Sequence, residues 1–162
     1  MKYIVKAPNN INATVTLPAS KSLSNRALLI SAMAHDANGG SMILPDNLSD
    51  CDDTDVIVSA LRDMPDVIDI KAAGTAMRFM TAYLSCRDGD EHVITGTDRM
   101  CHRPIKTLVD ALRSLGADIE YVGEEGYPPL RIRGRRLQGG RIAIPGNVSS
   151  QYISALLMIG PL

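Results

Sequence analysis

Tryptophan is absent from this chain, and phenylalanine occurs once beside five tyrosines. So few aromatic faces argue against the base-stacking platforms of single-stranded nucleic-acid binders. A dominant charge is missing too: 17 Lys and Arg stand against 18 Asp and Glu, a formal net charge of -1. Binding nucleic acid through general electrostatics is disfavoured on that ground. The three cysteines, Cys51, Cys86 and Cys101, are odd in number and form no CxxC pair. A disulfide framework and a structural zinc site are both unsupported, which fits a reducing, cytoplasmic setting. No apolar run approaches the length of a membrane span, and the start MKYIVKAPNN lacks the apolar core of a signal peptide. What remains is an ordinary chain of 162 residues, 45% hydrophobic, enough for one core of moderate size.

Short β-like runs alternate with helical ones along it. Lys2–Lys6 and Ile11–Leu17 read as strands, followed by a helix over Leu23–His35 that stops near Gly39-Gly40. Met42–Leu44 reads as a short strand, and an acid-rich helix start leads through Val56 to Met64. Then come a strand at Val67–Ile70, a helix at Thr75–Cys86 and a strand at Glu91–Thr95. Pro104 suits the first position of a helix that runs to Leu115 and closes on Gly116. Ala117–Val122 and Leu130–Arg133 flank a hairpin turn at Gly123–Pro129. Arg141–Ile144 is the last expected strand and Ser149–Ile159 the last helix. This is an α/β pattern.

The segment Pro18–Leu29, PASKSLSNRALL, sets a lysine, three serines and an arginine at the mouth of an apolar helix. Unpaired N–H groups and the positive end of the macrodipole favour an anion there. Lys21 adds a mobile charge, and Ser22 and Arg26 at i and i+4 share one face. A plain N-cap serine with a solvated lysine and arginine fits the same residues. The pattern recurs, however. Val15–Ser22 matches Ile142–Ser149 as strand, proline, small-residue turn and serine opening a helix, and Gly74–Arg78 lies more weakly over Ser22–Arg26.

Other clusters carry less. Asp46, Asp50, Asp52, Asp53 and Asp55 lack the glycine and glutamate of a calcium loop and read as charge complementing a helix N-terminus. Arg131, Arg133, Arg135 and Arg136 read as a solvated sheet face. Cys101 has no base placed beside it, and His35 and His92 read as surface or helix-end residues.

PASKSLSNRALL, AGTAMRFMTAYL, HRPIKTLVDALRSLGA and PGNVSSQYISALLM, in this order and spacing, resemble the 5-enolpyruvylshikimate-3-phosphate synthases, or 3-phosphoshikimate 1-carboxyvinyltransferases. The resemblance runs through nearly the whole chain. It implies repeated βαβαββ units, three in each of two similar domains, with substrates bound in the cleft between them. On that basis residues 1–17 are opening strands, the first belonging with a second domain. Residues 18–162 are then an incomplete N-terminal substrate-binding domain, and the C-terminal domain is absent.

The resemblance also implies roles. The reaction moves the enolpyruvyl group of phosphoenolpyruvate to the 5-hydroxyl of shikimate 3-phosphate and releases phosphate, in the cytoplasm, in a monomer, without metal or organic cofactor. Lys21 would touch both substrates and take part in proton transfer. Ser22, Arg26, Ser149 and Ser150 would hold shikimate 3-phosphate, Gly74 and Arg103 phosphoenolpyruvate, and Gln151 both. Two mutually repelling anions require such a local cation cluster, whatever the net charge.

Departures matter as well. Ala72 stands where many members carry asparagine and Phe79 where they carry proline, which bears on phosphoenolpyruvate affinity and on sensitivity to glyphosate. The family's catalytic aspartate and the arginines for the phosphoenolpyruvate carboxylate belong to the absent domain. Two alternatives remain open at this point. One is a non-catalytic module that binds a phosphorylated ligand. The other is a relative of the UDP-N-acetylglucosamine enolpyruvyltransferases, whose reactive cysteine lies further upstream of the Arg-Pro pair than Cys101 does.

Overall fold

The computed structural model describes residues 3–39 and 42–162. Its order is α1 (Lys21–Asn38), α2 (Asp52–Asp63), β1 (Val67–Asp69), α3 (Gly74–Ser85), β2 (Glu91–Thr95), α4 (Asp98–Cys101), α5 (Lys106–Ser114), β3 (Asp118–Tyr121), β4 (Leu130–Arg133) and α6 (Ser150–Ile159). The sheet runs β1-β2-β4-β3, with β1 and β2 parallel and the other pairs antiparallel. Leaving aside the single-turn α4, β1 to β4 with α3 and α5 make one complete βαβαββ unit. The turn between β3 and β4 falls where Gly123–Pro129 implies it.

Each strand alternates, so Ile68, Ile94, Ile119, Leu130 and Ile132 point to one buried face. The opposite face is charged. Arg131, Arg133 and Arg135 reach Glu91, Glu120 and Asp118 across it, so these arginines are solvated and paired. Helix α3 crosses the buried face and is itself enclosed, from Ala76 through Leu84. A helix buried all round needs its polar side chains satisfied locally. Thr81 donates to the Met77 carbonyl and Ser85 to that of Thr81, each at 2.7 Å. Helices α1, α2 and α6 pack around it through Leu28, Leu29, Ile57, Leu61, Tyr152 and Ala155. At the far end of α1, Asp36 accepts from Arg87 Nη1 and from the Tyr83 hydroxyl, both at 2.7 Å. That network clamps α1 to the C-terminal end of α3.

Four expected strands do not form among the described residues: those of 3–6, 11–17, 42–44 and 141–144. Lys2 and Gly40, part of the expected first strand and helix stop, lie outside them. The physical reason is the lack of a partner, because a strand is made by its ladder as much as by its side chains. Ile4, Val5, Ile11, Val15 and Leu17 are all exposed. Pro104 does not open α5; that helix starts at Lys106 with Ile105 as its cap. Ser149 caps α6 rather than beginning it. His92 is buried, not at the surface, with Nδ1 2.9 Å from the Pro65 carbonyl. No helix among the described residues is long and apolar enough to cross a membrane.

The carboxylates that anchor this surface make stability depend on acid. Hydrogen bonds from Lys71 hold Asp69 below its ordinary pKa, as Arg133 does for Glu120 and Lys106 for Glu125. A carboxylate depressed in the folded state contributes stability above its unfolded pKa, and the contribution is lost as pH falls through the folded value. The urea midpoint should therefore drop between neutral pH and about pH 3, below the ordinary carboxylate range. An unchanged midpoint would contradict these pairings.

Candidate functional site

Three helix openings belong to helices that pack against one another, α1, α3 and α6. Helix α1 is capped by Ser20, whose side chain accepts from the Leu23 amide at 3.4 Å. Helix α6 is capped by Ser149, which accepts from the Gln151 amide at 3.2 Å. Helix α3 has Ala73 at its cap and no side chain to occupy its first N–H groups. Helices α3 and α6 are joined at their mouths, where Gln151 Nε2 donates to Thr75 Oγ1 at 3.1 Å.

Arg26 spans the three helices. Its Nη1 donates to Ser22 Oγ at 2.5 Å and to the Ser22 carbonyl at 2.8 Å, and its Nη2 to Ser154 Oγ at 3.0 Å on α6. Its guanidinium stacks 5.3 Å from the centre of the Phe79 ring on α3, a cation–π geometry. Phe79, the residue in the proline position, thus forms the floor under Arg26. A cleft of about 550 Å³ opens beside this guanidinium, lined by Ile30, Met33, Ser154 and Leu157. Lys21 is half-exposed, and its Nζ lies 3.4 Å from Asp53 at the start of α2. Such a pair contributes about 0–1 kcal/mol, so an incoming anion competes with Asp53 for Lys21 at little cost.

Arg103 lies over Gly74. A Cβ on Gly74 would overlap the Arg103 guanidinium, so a residue without a side chain is what admits the arginine to the mouth of α3. Beneath it runs Arg78, 4% exposed. Arg78 Nη1 donates to the Gly74 carbonyl at 3.1 Å and Nη2 to the Pro104 carbonyl at 3.0 Å. Burial lowers the Arg78 pKa, and the neighbouring Arg103 charge adds to the effect.

Charge bookkeeping separates two classes of arginine. Arg131, Arg133 and Arg135 on the sheet face have acids; Arg26, Arg78 and Arg103, like Arg99, Arg113, Arg136 and Arg141 elsewhere, have no carboxylate within ion-pair distance among the described residues, but only these three are gathered around the α1 and α3 openings. Unneutralised guanidiniums beside the uncapped α3 N-terminus have the chemistry that an anion would need. Not every candidate is joined to the rest: Lys21 binds Asp53 alone, and Ser150 is exposed at the start of α6.

Sequence reasoning gave no place at the site to Thr75, Tyr152 or Ser154, aligned Arg78 with Arg26 without assigning it a role, and read Asp53 only as charge at a helix start. A signal for Arg78 was present: it stands four residues after Gly74 as Arg26 does after Ser22, and both back-bond to the carbonyl four residues earlier. The cysteines stand apart from this cluster. Cys101 Sγ faces the Gly96 carbonyl at 3.6 Å, and burial raises the Cys86 thiol to about 11.

A family profile described as EPSP synthase (3-phosphoshikimate 1-carboxyvinyltransferase) matches residues 5–67 and 63–162. A 3-phosphoshikimate 1-carboxyvinyltransferase of Bacteroides fragilis is 62% identical over 161 residues, covering 99% of this chain and 38% of that protein. One from Haemophilus influenzae is 41% identical over 192 residues, covering 100% of the chain and 43% of the relative. The solved EPSP synthase of Acinetobacter baumannii superposes with a TM-score of 0.74 at 25% identity, over 89% of this chain and 37% of that one. The chain thus spans about two fifths of the length of the curated relatives it matches.

Proposed function

The chain belongs to the EPSP synthase (3-phosphoshikimate 1-carboxyvinyltransferase) family, and from that premise we propose that it forms the shikimate 3-phosphate wall and part of the phosphoenolpyruvate wall of an enolpyruvyl-transfer site. Residues 18–162 act as the substrate-binding portion. The exposed run 3–17, with Ile4, Val5 and Leu17 uncovered, joins a ladder supplied from beyond this chain. The enzyme works as a cytoplasmic monomer on two small anions.

The observation that carries this reading is the set of arginines without acids around the helix mouths: Arg26 beside Ser22, and Arg103 over Gly74. Ser22, Arg26, Ser149 and Ser150 hold shikimate 3-phosphate; Gly74 and Arg103 take the phosphate of phosphoenolpyruvate. Gln151, tied to Thr75 at the α3 mouth, reaches both. Lys21, exchanging Asp53 for substrate, bridges the two anions and assists proton transfer to the methylene carbon of phosphoenolpyruvate as the 5-hydroxyl oxygen bonds to the phosphate-bearing carbon and gives up its own proton. Phosphate then leaves that carbon of the tetrahedral intermediate as the new methyl group gives up a proton and the double bond re-forms, the growing charge on phosphate met by Arg103 and the open N–H groups of α3.

The test is phosphate release from phosphoenolpyruvate and shikimate 3-phosphate together. The chain alone is expected to give none, since it has one wall of the cleft. Fused to the remaining residues of the Bacteroides fragilis relative, it is expected to turn over both substrates. Turnover by the chain alone, or a folded but inactive fusion, would overturn the proposal.

A further inference from the structure

Arg78 is the most deeply buried cation among the described residues, and it has no carboxylate partner. A buried charge without a counterion is costly unless something recovers the cost. An apolar side chain of similar length would fill the same space in α3, so packing alone does not explain a guanidinium here.

Its contacts indicate what it does. The Pro104 carbonyl accepts from Arg78 Nη2 at 3.0 Å and from the Tyr152 hydroxyl at 2.7 Å, so two donors fix the residue that follows Arg103. The same guanidinium grips the Gly74 carbonyl at 3.1 Å and touches Met100 Sδ at 3.7 Å. Met100 in turn accepts the Arg103 amide at 3.0 Å. Arg78 therefore ties the first turn of α3 to both sides of Arg103 in the chain. The stacking of its guanidinium 6.0 Å from the centre of the Tyr152 ring adds α6 to the same joint.

We propose that Arg78 is a positioning residue: it touches no ligand, sets Arg103 over the open α3 mouth, and places a fixed positive charge behind the phosphate pocket. This rests on the assignment of Gly74 and Arg103 to that pocket. The fork is needed for the two carbonyls and the charge for the anion, so a lysine supplies only the second.

The test is an NMR titration of the fused enzyme with inorganic phosphate and with phosphoenolpyruvate, following the Gly74 amide and the Arg103 side-chain resonance at low and high salt. The fused enzyme with Arg78 in place should show a saturable, salt-sensitive shift at both probes. Arg78→Met should weaken binding about tenfold or more, as small misplacements of positioning groups do, and flatten the salt dependence. Arg78→Lys should keep the salt dependence yet bind several-fold more weakly. Tyr152→Phe, which leaves the charge in place, should weaken binding by about half that factor on a logarithmic scale. A merely structural Arg78 would change melting temperature and leave these affinities alone.

Should the fused enzyme with Arg78 in place give no saturable shift, the pocket assignment falls and the inference with it. Wild-type binding with equal affinity in folded Arg78→Lys and Tyr152→Phe would overturn the inference alone. These two variants decide the matter if Arg78→Met does not fold.

Discussion

Replacing Lys21 with methionine in the fused enzyme is expected to lower kcat by roughly 10²–10⁴-fold, the range for removing a group that both stabilises developing charge and handles a proton. Methionine keeps the unbranched stem and removes only the ammonium. Fold effects should be small: Lys21 is 51% exposed, and its one ion pair is with Asp53, which retains the favourable end of the α2 dipole after the change. Stability should therefore stay within about 1 kcal/mol of the parent. The combination of an intact melting curve with collapsed turnover separates a role in chemistry from a role in folding. Unchanged kcat at saturating substrates would remove Lys21 from the mechanism and leave it as an ordinary solvated partner of Asp53.

The same contrast explains which parts of this protein were legible in sequence. The strand Leu130–Arg133 was recoverable to the residue because its ladder partners, β2 and β3, lie within the chain. Ile11–Leu17 shows an equally regular alternation and forms no strand. Pattern describes which face a strand would bury, whereas the hydrogen-bonding neighbour decides whether the strand exists. Helix starts were misread by one or two positions for a related reason. Either Ser20 or Ser22 satisfies the local grammar of a cap, and only the backbone geometry selects Ser20. At the site, motif residues such as Arg26 and Gly74 were visible one by one. What spacing could not supply was long-range contact: Arg26 with Ser154, Gln151 with Thr75, Arg78 with Pro104. Those contacts join segments far apart in sequence, and they hold the site together.

Adding a single methyl group at Gly74 is expected to raise KM for phosphoenolpyruvate about 10–100-fold in the fused enzyme while the fold becomes no less stable. The two effects have opposite sources. Gly74 is the first residue of α3, and alanine is favoured over glycine in a helix by up to about 1 kcal/mol. The new Cβ, however, occupies space held by the Arg103 guanidinium. Arg103 is exposed and its guanidinium ends a flexible side chain, so it swings away at little cost to the core. What is lost is its place over the helix mouth, and displacement of about 1 Å suffices for losses of this size. Shikimate 3-phosphate affinity should hold, because Ser22 and Arg26 are anchored separately through Ser154 and Phe79. The decisive control is the double variant. If Gly74 acts through Arg103, Gly74→Ala should add little in an Arg103→Met background, a non-additivity that independent sites do not show. Fully additive losses would mean that Gly74 meets the ligand on its own account and that its contact with Arg103 is incidental.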